Sequence, residues 1–131
     1  MLLASAICSC SEKQPETTEP MITKTEIQVE NGLLTPEIMH RLGKVGDVQV
    51  SPNHAKILYG VSYTSIEQNK GNRELYLMNV DGSENVKITN TPKSESNARW
   101  INDSQIIYMR SGKLYTATIE GSTLKNETEV A

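Results

Sequence analysis

The residues of this chain whose types suit chemistry are few, and their spacing denies most of the reactions they suggest. A serine nucleophile needs Gly-x-Ser-x-Gly at a sharp turn from strand to helix, with a base in reach. The nearest text is Gly60-Val61-Ser62-Tyr63-Thr64, which ends in threonine. Its β-branched Val61 and aromatic Tyr63 continue a strand rather than enter a helix. The two imidazoles, His40 and His54, are each expected in or beside a turn or cap, so no triad is expected and no catalytic residue is assigned. Cys8 and Cys10 stand two apart, where a disulfide would be strained. With no second cysteine pair and both histidines distant, they make a poor zinc site, and neither metal nor cofactor is expected. Asp81-Gly82-Ser83-Glu84 starts like a calcium loop but lacks the alternating ligands and the closing glutamate. What remains is a polar run holding Glu67, Arg73 and Glu74, in or beside a long loop. Charges there suit a loop that faces a charged group of a substrate, although a solvated face needs the same residues.

The chain has 131 residues, enough for one domain with a modest core. Hydrophobic residues make up 37%, and phenylalanine is absent, so the core must rest on Ile, Leu, Val, Met and Tyr. The formal charge of −3 is mild and the Lys and Arg residues are scattered, which excludes nucleic acid as an expected partner. No apolar run is long enough to span a bilayer as a helix.

The first seven residues are apolar or small, and residues 11–20 turn polar with two prolines. This is the pattern of the end of a secretory signal peptide. Ile7-Cys8-Ser9-Cys10 resembles the lipobox of bacterial lipoproteins, with small Ser9 before an acceptor Cys10. Cys8 is the poorer acceptor because bulky Ile7 precedes it. No Lys or Arg leads the apolar run, so the true translation start is expected upstream of Met1. Residues 1–10 are therefore expected to be a signal and lipobox remnant and 11–33 a flexible tether. The chain is expected to be exported to the periplasm or outer membrane, held there by lipid if Cys10 is acylated. The glycosylation sequons Asn102-Asp103-Ser104 and Asn126-Glu127-Thr128 carry little meaning behind such a leader.

The elements that position these groups read as β. Within 34–46, Thr35 caps, Pro36 opens and Gly43 closes a two-turn helix over 36–42. Two units follow, 47–92 and 96–131. In the first, strands are expected at Val48–Val50, Lys56–Tyr63, Glu74–Val80 and Val86–Thr89, with Thr64–Asn72 a polar loop. Asp81-Gly82 predicts a type I′ hairpin turn, which needs positive φ at both central residues. The second unit repeats the order: Ala98–Ile101 matches Val48–Ser51, Gln105–Tyr108 matches Lys56–Tyr59, and Lys113–Tyr115 matches Glu74–Tyr76. Tyr59 and Tyr108 lie 49 residues apart, whereas Tyr76 and Tyr115 lie 39 apart. The first unit therefore carries ten extra residues between its second and third strands, within Ser62–Arg73. The fold class expected is all-β, with two four-stranded antiparallel propeller blades behind a short helix.

Ser51-Pro52-Asn53-His54-Ala55-Lys56-Ile57-Leu58-Tyr59 and Glu74-Leu75-Tyr76-Leu77-Met78-Asn79-Val80-Asp81-Gly82-Ser83 together resemble the TolB-like propeller repeat. Departures are Asn53-His54 where Asp-Gly is usual and Ile101-Asn102 where Ser-Pro is. With the leader, Leu34-Thr35-Pro36-Glu37-Ile38-Met39 and Ile66-Glu67-Gln68-Asn69-Lys70-Gly71-Asn72-Arg73-Glu74-Leu75, residues 34–128 resemble the N-terminal end of bacterial secreted serine peptidases. These are the prolyl oligopeptidase family, dipeptidyl- and acylaminoacyl-peptidase-like members. The resemblance implies a propeller that gates short peptides into a separate Ser-Asp-His hydrolase domain, whose catalytic residues have no counterpart here. Two blades cannot close a ring, which implies an incomplete propeller within a longer peptidase. The other function carried by the same residues is a small envelope lipoprotein that binds a protein partner through its blades.

Overall fold

The computed structural model describes residues 19–131. The expectations placed on the leader, Cys10 among them, lie outside the described residues. In chain order the elements are α1 (Pro36–Arg41), β1 (Lys44–Val50), β2 (Lys56–Ser65), β3 (Lys70–Asn79), β4 (Val86–Lys87), β5 (Glu95–Trp100), β6 (Gln105–Arg110), β7 (Lys113–Glu120) and β8 (Thr123–Glu129). They form two four-stranded antiparallel sheets, β1-β2-β3-β4 and β5-β6-β7-β8, each strand beside its neighbour in sequence. The all-β expectation and the four-strand count of each unit hold.

Helix α1 begins as its residues dictate, with the Thr35 hydroxyl accepting from the Ile38 N–H at 3.3 Å. It does not end on Gly43 in the left-handed region. Leu42 returns the chain to extended geometry at φ −65° and ψ 136°. Gly43 serves close approach instead: a Cβ there would stand 2.9 Å from the Tyr63 ring and from Val61. Strand β1 then starts at Lys44, inside the stretch assigned to the helix, and β5 starts at Glu95, ahead of Ala98. Both early starts have one cause. Each strand carries a bulge, and its pairing resumes in a shifted register, between Gly46 and Gln49 in β1 and between Ser96 and Arg99 in β5. The kink residues are Asp47 (φ 52°) and Asn97 (φ 53°), types that tolerate the left-handed region.

The expected loop Thr64–Asn72 is mostly ladder. β2 and β3 pair without interruption from Lys56↔Asn79 to Ser65↔Lys70, so the ten extra residues lengthen a hairpin rather than a loop. Only 66–69 turn, closed by the Asn69 N–H on the Ile66 carbonyl at 3.1 Å. The type I′ turn at Asp81-Gly82 is corrected as well. Gly82 has φ 86°, but Asp81 is not among the positive-φ residues. Gly82 N–H closes the turn on the Asn79 carbonyl at 2.8 Å, one residue earlier than a two-residue loop. Positive φ at both central positions occurs instead at Ser111 (52°) and Gly112 (76°), between paired Arg110 and Lys113.

The core lies between the sheets. Leu58, Leu75 and Leu77 of the first meet Ala98, Ile106, Tyr108, Ala117 and Ile119 of the second, all nearly free of solvent. Side chains alternate along a strand, so each sheet has two distinct faces. By the repeat, Leu58, Leu75 and Leu77 correspond to Ile107, Leu114 and Thr116, which point away from the interface and are half-buried. The buried Ile106 and Tyr108 correspond to Ile57 and Tyr59 on the outward side of the first sheet. The sheets therefore pack by unlike faces, front to back. Trp100 spans the joint: its ring N–H donates to the Gln49 carbonyl at 3.4 Å.

Candidate functional site

The three charged residues singled out from the sequence are placed apart. Glu67 sits on the hairpin turn, exposed to solvent. Its own backbone N–H, then the Ser65 hydroxyl at 3.1 Å, hold its carboxyl below the usual carboxylate range. Arg73 belongs to β3, on the face turned toward the second sheet, opposite Ser62. Its guanidinium crosses the sheet over Gly60 and Gly46 to stand 3.0 Å from Asp47 Oδ2. Neither Nε nor Nη2 makes an aligned hydrogen bond, so this is a contact of charges. Glu74 is buried on the opposite face. It accepts from the Thr89 hydroxyl at 2.6 Å, the Thr91 N–H at 2.9 Å and the Asn72 amide at 3.2 Å. That carboxylate ties the third strand to the chain leaving the sheet, because β4 is only two residues long.

The hairpin tip is also where the N-terminal segment returns. Lys70 Nζ meets Glu19 at 2.6 Å, the Gln68 amide donates to the Pro20 carbonyl at 3.0 Å, and the Asn72 amide to the Ile22 carbonyl at 3.3 Å. Between this segment, the tip and α1 lies a cleft of about 450 Å³. Pro20, Met21 and Ile22 line one wall, Thr64 to Gln68 the other, and Arg41 reaches in from the helix. Arg41 and Glu67 are 4.0 Å apart and both largely exposed. Such a pair holds itself weakly and leaves each charge available to a ligand. The cleft therefore offers one cation and one anion on an apolar floor. Among the described residues its lining supplies no bond-breaking group. Arg41 had a signal in the sequence only as a basic residue in a helix's last turn.

Ser62 lies mid-strand in β2, His40 lies in the last turn of α1, and His54 occupies a turn at φ 59°. The structure brings none of the three together by hydrogen bond among the described residues. Nor do the described residues include three or more metal-ligating side chains gathered at one place.

A second polar cluster has no counterpart in the sequence reading. Glu95 is wholly buried at the start of β5, with Arg110 Nε 2.6 Å from its Oε1 and the Thr91 hydroxyl 2.7 Å from the same oxygen. Its Oε2 has no hydrogen-bond partner among the described residues, and burial pushes this carboxyl up. Arg110 also grips Glu127 with two nitrogens, at 2.5 and 2.9 Å, and that grip lowers the Glu127 carboxyl. The Tyr108 hydroxyl donates to Glu127, and the guanidinium lies 5.6 and 5.2 Å from the Tyr108 and Tyr115 ring centres. Closed on itself between strands, the cluster braces the second sheet.

No family model matches the chain. Over 97 residues it is 31% identical to dipeptidyl-peptidase 5 of Porphyromonas endodontalis, a match spanning 74% of this chain and 13% of that protein. Over 80 residues it is 35% identical to dipeptidyl-peptidase 5 of Porphyromonas gingivalis, spanning 61% of this chain and 12% of that protein. The chain thus covers about an eighth of the length of these curated relatives. In sequence it is related to a part of a peptidase.

Proposed function

We propose that the chain is a non-catalytic portion, from the N-terminal side, of the β-propeller of a secreted serine peptidase of the prolyl oligopeptidase family. The whole protein would remove dipeptides or acylated residues from short peptides. The observation that carries this reading is the front-to-back packing of two four-stranded sheets in a chain similar to a segment of dipeptidyl-peptidase 5. Packing by unlike faces can be repeated, which is how a propeller is built. In this reading the cleft at the hairpin tip faces the peptide path, with Glu67 and Arg41 as its charged contacts. Arg73 and Glu74, placed in the strand beside it, hold the hairpin that carries them.

The chemistry would belong to residues outside this chain. Purified chain given a dipeptidyl chromogenic substrate is expected to release no chromophore. Hydrolysis abolished by a serine-reactive inhibitor would overturn the reading. The coding sequence downstream is expected to hold further sheets and a Gly-x-Ser-x-Gly, in frame or after one frameshift.

The second reading, an envelope lipoprotein binding a protein partner, is favoured by exposed Val45, Val48 and Val50 along β1. A terminator directly after the coding sequence, without a hydrolase domain beyond it, would decide for it. Both readings place the chain in the periplasm or at the outer membrane through an acylated Cys10.

A further inference from the structure

Residues 19–29 are seated on the first sheet without belonging to it. Among the described residues none of their backbone N–H or carbonyl groups bonds to another backbone group, and their half-buried side chains are Met21, Ile22 and Ile27. Pro20, Met21 and Ile22 nevertheless form one wall of the cleft at the hairpin tip. Side chains of the hairpin hold that wall in place. Glu19 and Lys70 pair at 2.6 Å with 54% and 61% of their side chains exposed. The Gln68 amide donates to the Pro20 carbonyl at 3.0 Å, also in contact with solvent. Exposed contacts of this kind are worth little, and the ion pair weakens further with salt.

The third attachment is over-committed. The Asn72 amide carries two hydrogens and faces three acceptors: the Thr91 carbonyl at 2.9 Å, Glu74 Oε1 at 3.2 Å and the Ile22 carbonyl at 3.3 Å. The bond to Ile22 is the longest. Letting it go leaves both hydrogens with partners inside the fold, and the freed Ile22 carbonyl turns to water.

We propose that residues 19–22 are a strap that closes the cleft reversibly, with Gln68, Lys70 and Asn72 as its catch. Half-buried Met21 and Ile22 favour the closed position, and nothing among the described residues locks it. Lifting the strap turns the cleft into an open groove along residues 64–68, with Arg41 beside it. A segment with few buried contacts and exposed hydrogen bonds lies at the low end of local stability. The inference stands on these contacts alone and does not need the cleft to take a peptide.

The test is the rate at which iodoacetamide, an uncharged thiol reagent, alkylates Met21→Cys in the full chain, in a Cys8→Ser, Cys10→Ser background. Gln28→Cys, at an exposed position of the same segment, is the reference. At low salt Met21→Cys is expected to react several-fold more slowly than Gln28→Cys. Added sodium chloride, or Lys70→Glu at low salt, is expected to raise its relative rate, by up to about fivefold per exposed ion pair lost. Glu19→Lys combined with Lys70→Glu rebuilds the pair and is expected to restore the slow rate, which separates a lifted strap from a damaged fold. Tryptic cleavage after exposed Lys24, with Met21 in place, is expected to follow the same order. Met21→Cys reacting as fast as Gln28→Cys at low salt overturns the proposal, because the segment is then not seated. A slow rate that neither salt nor Lys70→Glu changes overturns it as well, because the wall is then fixed.

Discussion

Replacing Gly60 by alanine tests how the lengthened hairpin is held. The new Cβ would stand 2.4 Å from Arg73 Nε and 3.0 Å from its Cζ. Real Cβ atoms do not approach so closely, so the guanidinium must leave its path across Gly60 and Gly46. It then loses Asp47, now 3.0 Å away, in a pair whose members are only 22% and 28% exposed. Overpacking of this kind costs about 1–3 kcal/mol. The missing aligned hydrogen bond puts the charge pair toward the low end of the roughly 1.5–3 kcal/mol given by hydrogen bonds to charged groups. The sum is not additive, because both terms describe one displacement, and Gly60→Ala is expected to destabilise by about 2 kcal/mol. The sign should reverse when the obstacle is gone. In an Arg73→Ala background the three atoms nearest the new Cβ are gone, and Gly60→Ala, which removes a flexible residue from a strand, is expected to stabilise by about 0.4–1 kcal/mol. Urea unfolding of the four proteins in the cycle measures both numbers. Equal destabilisation in the two backgrounds would refute the claim that Arg73 fills the space above Gly60.

Other outcomes follow from the same geometry. Leu77→Ala empties a wholly buried site and is expected to cost about 2–5 kcal/mol in urea unfolding, while Leu114→Ala, half-buried, should cost well under that. Glu127 has its carboxyl lowered by Arg110, so its contribution is present above the unfolded value near 4.5 and is lost as pH falls through the lower folded value. Glu127→Gln should therefore flatten the acid side of the stability profile measured by thermal melts from neutral pH downward. Glu95, raised by burial, has the opposite sign: its contribution is present at low pH and lost as pH rises through the folded value. Cys10→Ser should abolish incorporation of labelled palmitate in a bacterial host, and Cys8→Ser should leave it intact.

The strands, their order and the unit count were legible because their signals are local. Runs of β-forming residues in Gln105–Tyr108 and Leu75–Val80, turn residues between the strands, and the recurrence of Leu-Tyr at matching places need no tertiary information. The hairpin tip was not legible. Ser62, Thr64, Asn72 and Arg73 are polar, and polarity at a tip is the same in a loop and in a ladder. Here cross-strand pairing decided for the ladder. The bulges were missed although Asp47 and Asn97 marked them, because both residues also suit ordinary turns. Of the site residues, Glu67 stands where the sequence put it, on a turn. Glu74 looked like a surface charge, and only its three hydrogen bonds explain why burial is tolerated.

By itself the sequence determined two four-stranded meanders, since each strand bonds to the next one along the chain and each turn is built from its own residues. Tertiary structure decided which face of each meander is inside. Leu58, Leu75 and Leu77 are apolar, but so are Ile57, Tyr59, Tyr76 and Met78 on the other side, so the pattern of either sheet alone allows both faces to be buried. The choice rests on the partner sheet and on two kinks at Asp47 and Asn97 that let β1 and β5 shift register beside it. The same choice put Arg73 over two glycines.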